Sequence, residues 1–180
     1  MSDEGRVRLR PVRVDDVELV DSWDADPVLK GEFNDFGMPP HSIRDSVEDG
    51  TVIGDDHGML MIERTNDVTP IGTVGWRASR YGPTNGSRAW QLGIHLVPEG
   101  RGQGFGTEAQ RLVADYLFAT TDAFRVEAST DVDNVAEQRS LEKAGYRREG
   151  VNRGAQVRPD GRHDLVMYAV LRSDLEPPAG

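Results

Sequence analysis

A glycine-rich loop between a strand and a helix constrains the fold more than any other feature of the sequence. The loop spans residues 101–107, RGQGFGT, and follows a strand-like run that ends at Pro98. Glycine lets the backbone approach a ligand closely, and a helix N-terminus offers unpaired N–H groups at the positive end of the helix dipole. The loop therefore predicts an anion site, with pyrophosphate as the natural occupant. The alternative is a glycine-rich turn that binds nothing.

Two nucleotide-binding patterns do not fit this loop. A mononucleotide P-loop ends in Gly-Lys-Ser or Gly-Lys-Thr, whereas this sequence has Gly106-Thr107-Glu108. The dinucleotide fingerprint G-x-G-x-x-G requires a glycine where Thr107 stands. That fingerprint also belongs near the start of repeated βαβ units, and this loop lies past the middle of the chain. The anion is therefore not identified by the glycines alone.

Apolar periodicity and turn residues predict a mixed α/β sheet in one domain, in the order strand, two helices, three strands, helix, strand, helix and two strands. Asp15 is predicted to cap the first helix, with Glu18 completing a capping box. Residues 24–40 show no periodicity and are predicted as loop. The domain is expected over 1–175, with a Pro/Gly tail over 176–180. Strands are expected over 7–12, 58–63, 71–76, 88–97, 125–129, 146–151 and 164–171, and the later helices over 42–50, 107–120 and 134–144.

Composition limits the classes of function. A chain of 180 residues suits one domain with a normal core. It has no cysteine, which removes disulfides, thiolate nucleophiles and cysteine metal sites. His41, His57 and His163 lack metal-ligand spacing with one another, so no metal is predicted. No apolar run approaches the roughly 20 residues that are needed to span a bilayer, and no signal-peptide pattern is present. We therefore expect a cytoplasmic protein without a membrane partner.

The formal net charge of −10 argues against nucleic acid as a partner, because such a surface repels phosphate. The same charge would attract a cationic ligand such as a primary amine. The alternative is that it serves solubility only.

The residues around the loop resemble a known family. Arg101-x-x-Gly104-x-Gly106 is similar to the R/Q-x-x-G-x-G/A acetyl-CoA signature of the GNAT superfamily of N-acetyltransferases. The resemblance is strong from about residue 90 to 171 and loose before 71. Within it, segments 92–99, 107–109, 141–146, 149–151 and 160–164, with Asn134 and Tyr168, look like the ribosomal-protein N-acetyltransferase branch, the RimJ/RimL type.

The resemblance implies a single GNAT-like domain with a mixed, mostly antiparallel sheet flanked by helices. It implies an acyltransferase that uses acetyl-CoA as co-substrate. Loop N–H groups would hold the pyrophosphate, the end of the preceding strand would pair with the pantetheine arm, and Asn134 would contact the cofactor, cap its helix, or do both. The expected cofactor residues are Ile94, Leu96, Arg101, Gly102, Gln103, Gly104, Phe105, Gly106, Thr107 and Asn134.

The proton-handling positions depart from the family pattern. Relatives often carry a glutamate base just before the Leu-Gly pair, where this chain has Gln91, which cannot accept a proton at useful pH. Many have a tyrosine acid seven residues after the asparagine, and here that residue is Leu141. RimL-type relatives often use a serine three residues after the asparagine, and here it is Glu137. The candidate catalytic residues are His95, Glu137, Ser140 and Gln91, with Tyr146 nearby.

His95 and Glu137 each have a structural interpretation beside the catalytic one. His95 shares strand parity with Gln91 and has a suitable intrinsic pKa, but a strand histidine is also commonly structural. Glu137 is either a functional carboxyl or a solvated helix residue. A base is not essential, because some amine is always unprotonated and positioning alone gives a large rate gain.

The acceptor pocket is expected from the poorly matched segments 24–40 and 79–87, as apolar walls with acids that hold an ammonium group, or as a plain surface loop. The expected partner is a small amine, and a homodimer is left open. Two other functions also stay open: acetylation of a protein N-terminus, and an acyl-CoA-binding module that has lost catalysis. The candidate acceptor residues are Trp23, Glu32, Phe33, Asp35 and Phe36, with Asp26 beside them.

Overall fold

A seven-stranded sheet forms the centre of the computed structural model, which describes residues 5–175; the predicted tail over 176–180 lies outside the described residues. The strands are β1 (Val7–Pro11), β2 (His57–Arg64), β3 (Pro70–Arg80), β4 (Arg88–Leu96), β5 (Arg125–Asp131), β6 (Arg147–Arg158) and β7 (Gly161–Leu171). The helices are α1 (Val17–Ala25), α2 (Pro27–Lys30), α3 (Arg44–Glu48), α4 (Phe105–Thr120) and α5 (Val135–Lys143).

The strand order is β1-β2-β3-β4-β5-β7-β6. All neighbours pair antiparallel except β4 and β5, which are parallel because α4 crosses over between them. The predicted mixed, mostly antiparallel sheet flanked by helices is therefore confirmed. Within residues 5–175, no helix is long and apolar enough to cross a bilayer.

Helix α4 shows why these residues fold as they do. Ala109, Val113 and Leu117 recur every four residues, and each is at most 1% exposed. A helix with this spacing buries one apolar stripe against the sheet, which stabilises the fold by roughly 1.5–3 kcal/mol for each large side chain.

The start of the first helix differs from the prediction. Asp15 is exposed, and a short 3-10 turn, Val14–Asp16, precedes α1. Asp16, one residue later, accepts the Arg13 backbone N–H at 2.7 Å and pairs with the Arg10 guanidinium at 2.6 Å. The predicted capping box at Asp15 and Glu18 was wrong, because the ion pair to β1 makes Asp16 the buried carboxylate.

Segment 24–40 also contains more structure than its sequence predicts. The Asp26 carboxylate accepts the backbone N–H of Val28 at 2.8 Å and so caps the single turn of α2. Another 3-10 turn, Glu32–Asn34, follows. This segment reads as aperiodic because its elements are too short to show a helical period.

Candidate active site

A cleft of about 1240 Å³ opens where β4 and β5 separate. The two strands pair over three residues only, from Trp90↔Val126 to Leu92↔Ala128. Beyond Leu92, β4 stays paired with β3 as far as Leu96, but no described strand pairs with its other edge. That edge offers backbone N–H and C=O groups that an extended, amide-bearing ligand can pair with.

The glycine loop lies at the mouth of this opening. Gly102 and Gly104 have φ of +71° and +83°, in the left-handed region that favours glycine. Arg6 holds the loop from outside: its guanidinium donates to the Gln103 carbonyl and lies 4.9 Å from the centre of the Phe105 ring. The loop is thus shaped by contacts within the protein, and it brings the N-terminus of α4 to the cleft.

Most of the predicted cofactor residues form one wall of the cleft. Two have side chains elsewhere: Gln103 Nε2 donates to the Glu99 carbonyl at 2.6 Å, and Phe105 is buried in the core. Gly106 sits tightly, since a Cβ there would lie 3.2 Å from Leu96 Cδ1. The predicted residues that line the cleft are Ile94, Leu96, Arg101, Gly102, Gly104, Gly106, Thr107 and Asn134.

Arg101 joins this wall to the opposite one. Its Nε donates to the Leu96 carbonyl and its Nη2 to the Leu29 carbonyl, both at 2.7 Å. Leu29 belongs to α2, so the signature arginine fixes α2 against the end of β4. Its role in the structure is a backbone clamp across the cleft.

A chain of polar side chains connects α4 to α5 along the cofactor side of the cleft. Thr107 and Ser140 share a hydroxyl hydrogen bond of 3.0 Å, and Ser140 Oγ donates to Gln110 Oε1 at 3.3 Å. Gln110 Nε2 in turn donates to Glu137 Oε1. Asn134 Oδ1 accepts the Glu137 backbone N–H at 3.2 Å, which confirms its N-cap role.

Glu137 is a half-buried residue that lines the cleft. Burial disfavours its charged form and raises the pKa of Glu137 to about 7, although the bond from Gln110 acts in the opposite direction. Gln110 was not predicted from the sequence. The signal was there, because it is a polar residue on the otherwise apolar face of α4 and is 1% exposed.

His95 and Gln91 share a face of β4 but have different surroundings. Gln91 lines the cleft, and its Oε1 accepts from Arg77 Nε at 2.9 Å. His95 Nε2 lies 2.9 Å from the Leu29 carbonyl and must donate to it, and the His95 ring packs against Trp23. Burial lowers the pKa of His95. His95 is therefore a neutral side chain beneath α2, and it is not part of the cleft lining.

Some of the predicted acceptor residues line the cleft, and others lie outside its lining. Glu32, Phe33 and Phe36 line the cleft. Trp23 is 5% exposed and belongs to the core, and the Asp35 carboxylate accepts the Gly37 N–H at 2.9 Å. Segment 79–87 lies outside the cleft lining: its first two residues extend β3, and residues 81, 86 and 87 line a separate depression.

A comparison with protein-family profiles shows which family the chain belongs to. The profile described as "Acetyltransferase (GNAT) domain" matches residues 6–147, which is more than half of the chain. The chain belongs to the GNAT acetyltransferase family. The glycine loop that carries the family signature and the open β4 edge lie in the same cleft.

Individual relatives agree with this membership. YoaA of Bacillus subtilis (strain 168), an uncharacterized N-acetyltransferase, is 30% identical over 111 residues, 62% of this chain and 60% of that protein. The chain thus matches less than two thirds of that relative's length.

Two solved structures share the GNAT fold. Mycobacterium smegmatis RimJ in complex with CoA-disulfide superposes with a TM-score of 0.78 at 20% identity, covering 95% of this chain and 84% of RimJ. Vibrio cholerae spermidine N-acetyltransferase in complex with CoA and spermine gives 0.75 at 18% identity, covering 94% and 97%.

Proposed function

We propose that this GNAT protein moves the acetyl group of acetyl-CoA directly to a primary amine of a small molecule, in a ternary complex. The observation that carries the proposal is the open β4 edge beside a glycine loop and a helix N-terminus, all in one cleft. Direct transfer is favoured because the chain has no cysteine to form a thioester intermediate.

The cofactor wall suits both ends of coenzyme A. The N-terminus of α4 and its loop present N–H groups to the pyrophosphate. Arg139 and Lys143 of α5 also line the cleft and add positive charge for phosphate. The edge of β4 from Gly93 to Leu96 provides backbone partners for the amides of the pantetheine arm.

Glu137 serves as the proton donor. In the reaction the amine nitrogen bonds to the acetyl carbon and releases one proton to water, the carbon–sulfur bond breaks, and the departing sulfur takes up a proton. With a pKa of about 7, a substantial fraction of Glu137 is protonated at neutral pH. Because Gln110 occupies Oε1, the proton resides on Oε2. RimL-type relatives often use a serine at this position, so the carboxyl of Glu137 is a departure from the family pattern.

The acceptor wall, which segment 24–40 and the row His57, Arg77 and Gln91 form, contributes no base in this proposal. Gln91 cannot take up a proton, and His95 lies outside the cleft lining, where burial lowers its pKa. The amine therefore reacts in its free-base form, and the cleft accelerates the reaction by positioning.

The proposal also states the kind of acceptor, a small molecule rather than a protein N-terminus. Phe33 and Phe36 line the cleft and offer apolar surface to a small molecule. The similarity to a spermidine N-acetyltransferase supports a small amine, whereas the RimJ/RimL resemblance supports a protein N-terminus.

A broad amine panel tests the proposal. Wild-type protein with acetyl-CoA is assayed for thiol release, and the acetylated amine is identified by mass spectrometry. We expect thiol release that depends on a small amine and is accompanied by its acetyl product. Turnover with peptide N-termini alone would favour the protein acceptor. Binding of acetyl-CoA without turnover of any amine would make the chain a binding module.

A further inference from the structure

Three polar side chains on neighbouring strands form a row along the cleft. His57 on β2 is opposite Arg77 on β3, and Arg77 is opposite Gln91 on β4. Directly opposed residues of antiparallel neighbours project from the same face of a sheet. All three residues line the cleft, so the row is available to the acceptor.

Arg77 presents hydrogen-bond donors without a compensating acid. Its Nε donates to Gln91 Oε1, which leaves the Gln91 amide hydrogens and the terminal nitrogens of Arg77 for a ligand. No described Asp or Glu forms an ion pair with Arg77, although the chain has 31 acidic and 21 basic residues. By contrast, Arg80 on the same strand pairs with Asp56 at 3.4 Å.

The acids that were expected to hold an ammonium group are largely occupied. Asp24 pairs with Lys30 Nζ at 2.8 Å, and Asp26 and Asp35 accept backbone N–H groups. Within segment 24–35, Glu32 is the acid that lines the cleft. The row His57, Arg77 and Gln91 therefore suits a carboxylate on the substrate better than a second ammonium group.

We infer that the acceptor of the proposed reaction carries a carboxylate close to its primary amine, as an amino acid does, and that Arg77 binds this carboxylate. The guanidinium fork matches the two oxygens of a carboxylate, and the Gln91 amide adds a further donor. This inference rests on the proposed function and specifies its substrate class.

The position of the pair suits the reaction. Gln91 directly precedes Leu92, after which the β4 edge opens into the cleft. In an α-amino acid, the carbon that carries the amine is bonded to the carboxylate carbon. A carboxylate on Arg77 and Gln91 thus keeps the amine near the edge expected to hold the acetyl thioester.

The test compares amino acids with their carboxamides, alongside spermidine, in the thiol-release assay. Wild type should prefer each accepted amino acid over its carboxamide by at least about 10-fold in kcat/KM. In Arg77→Gln this ratio should fall to about 1, mainly through a higher KM for the amino acid, because losing a charge-assisted hydrogen bond costs roughly 10- to 100-fold. The control Arg80→Gln, outside the cleft, should keep the wild-type ratio.

Protein integrity is checked by the thermal shift with acetyl-CoA, which should be the same in wild type and Arg77→Gln. Equal kcat/KM for acid and amide, or a ratio that survives Arg77→Gln, would overturn the inference while the acetyltransferase activity stands. A preference for spermidine or for peptide N-termini would overturn it as well.

Absence of turnover with every amine would instead contradict the proposed function. Calorimetry of the amino acids against the CoA-saturated protein then decides the inference separately. Binding to wild type that is lost in Arg77→Gln supports it, and absence of binding overturns it.

Discussion

The two walls of the cleft are built by different means. The cofactor wall consists of the β4 edge, the glycine loop, α4 and α5, and its backbone groups come from the β4 edge and the glycine loop, which lie within one stretch of the chain, residues 93–107. The acceptor wall consists of segment 24–40 and the row His57, Arg77 and Gln91, and its side chains come from four separate places in the chain. A motif can therefore encode the first wall but not the second.

One carbonyl joins the two walls. Leu29 of α2 accepts from both Arg101 and His95, so the cofactor signature and the acceptor segment meet at a single backbone oxygen. If one wall binds acetyl-CoA and the other binds the amine, a substitution in one wall should affect one substrate only. A substitution of a residue that donates to the Leu29 carbonyl should affect both substrates.

The largest effect is expected from Gly104→Val. At φ +83° a β-branched residue is strained, and its Cβ would lie 3.0 Å from Arg6 Nη2, so the loop should lose its anion-binding shape. Wild type at a hundred times the dissociation constant of acetyl-CoA gains roughly 2.7 kcal/mol. The variant should lose this gain, as measured by melting temperature with and without acetyl-CoA.

Gly154→Val is the matched control, because Gly154 also has a positive φ, +57°, but lies on β6 outside the cleft lining. It should destabilise the protein yet keep the acetyl-CoA shift. Equal shifts in Gly104→Val and wild type would contradict the loop assignment.

Arg101→Met should weaken both walls together. The change removes the bonds to the carbonyls of Leu96 and Leu29, each a charge-assisted bond of about 1.5–3 kcal/mol. KM should rise about 10-fold for acetyl-CoA and for the amine alike in steady-state kinetics. Arg111→Met, at an exposed position on α4, serves as control. A rise confined to acetyl-CoA would argue that Arg101 acts on the cofactor alone.

Glu137→Gln should stabilise the protein at neutral and alkaline pH. The folded-state pKa of about 7 lies above the ordinary 4.5, so the neutral carboxyl favours folding below pH 4.5 and that contribution is lost as pH rises through 7. The variant should gain about 1–3 kcal/mol over wild type above pH 7, or several degrees in Tm. A stability difference that does not change between pH 4.5 and 8 would contradict the raised pKa.

Salt should have the smallest effect. An amino acid is zwitterionic, so kcat/KM for it should change less than about threefold between low and high ionic strength. A cationic amine such as spermidine should lose rate as salt screens the negative surface. A steep loss with the amino acid would argue that the net charge, rather than Arg77, selects the acceptor.

The difference between the walls also explains what the sequence could predict. The order of strands and helices along the chain follows from apolar periodicity, and the glycine loop follows from the 101–107 motif, because both signals act locally. Arg77 was missed because the predicted strand stopped at Trp76, whereas β3 continues to Arg80. His95 was placed on the correct face, but its bond to Leu29 depends on α2, which leaves no periodic signal.

The pH dependence of kcat and kcat/KM for two amines of different basicity, in wild type, His95→Ala and Glu137→Gln, tests most directly whether proton transfer belongs to the cofactor wall. We expect an ascending limb that follows each amine's own pKa and survives His95→Ala. We also expect a descending limb in wild type, set by deprotonation of Glu137, that disappears in Glu137→Gln. An ascending limb with a fixed midpoint that vanishes in His95→Ala would make His95 the base and contradict the account.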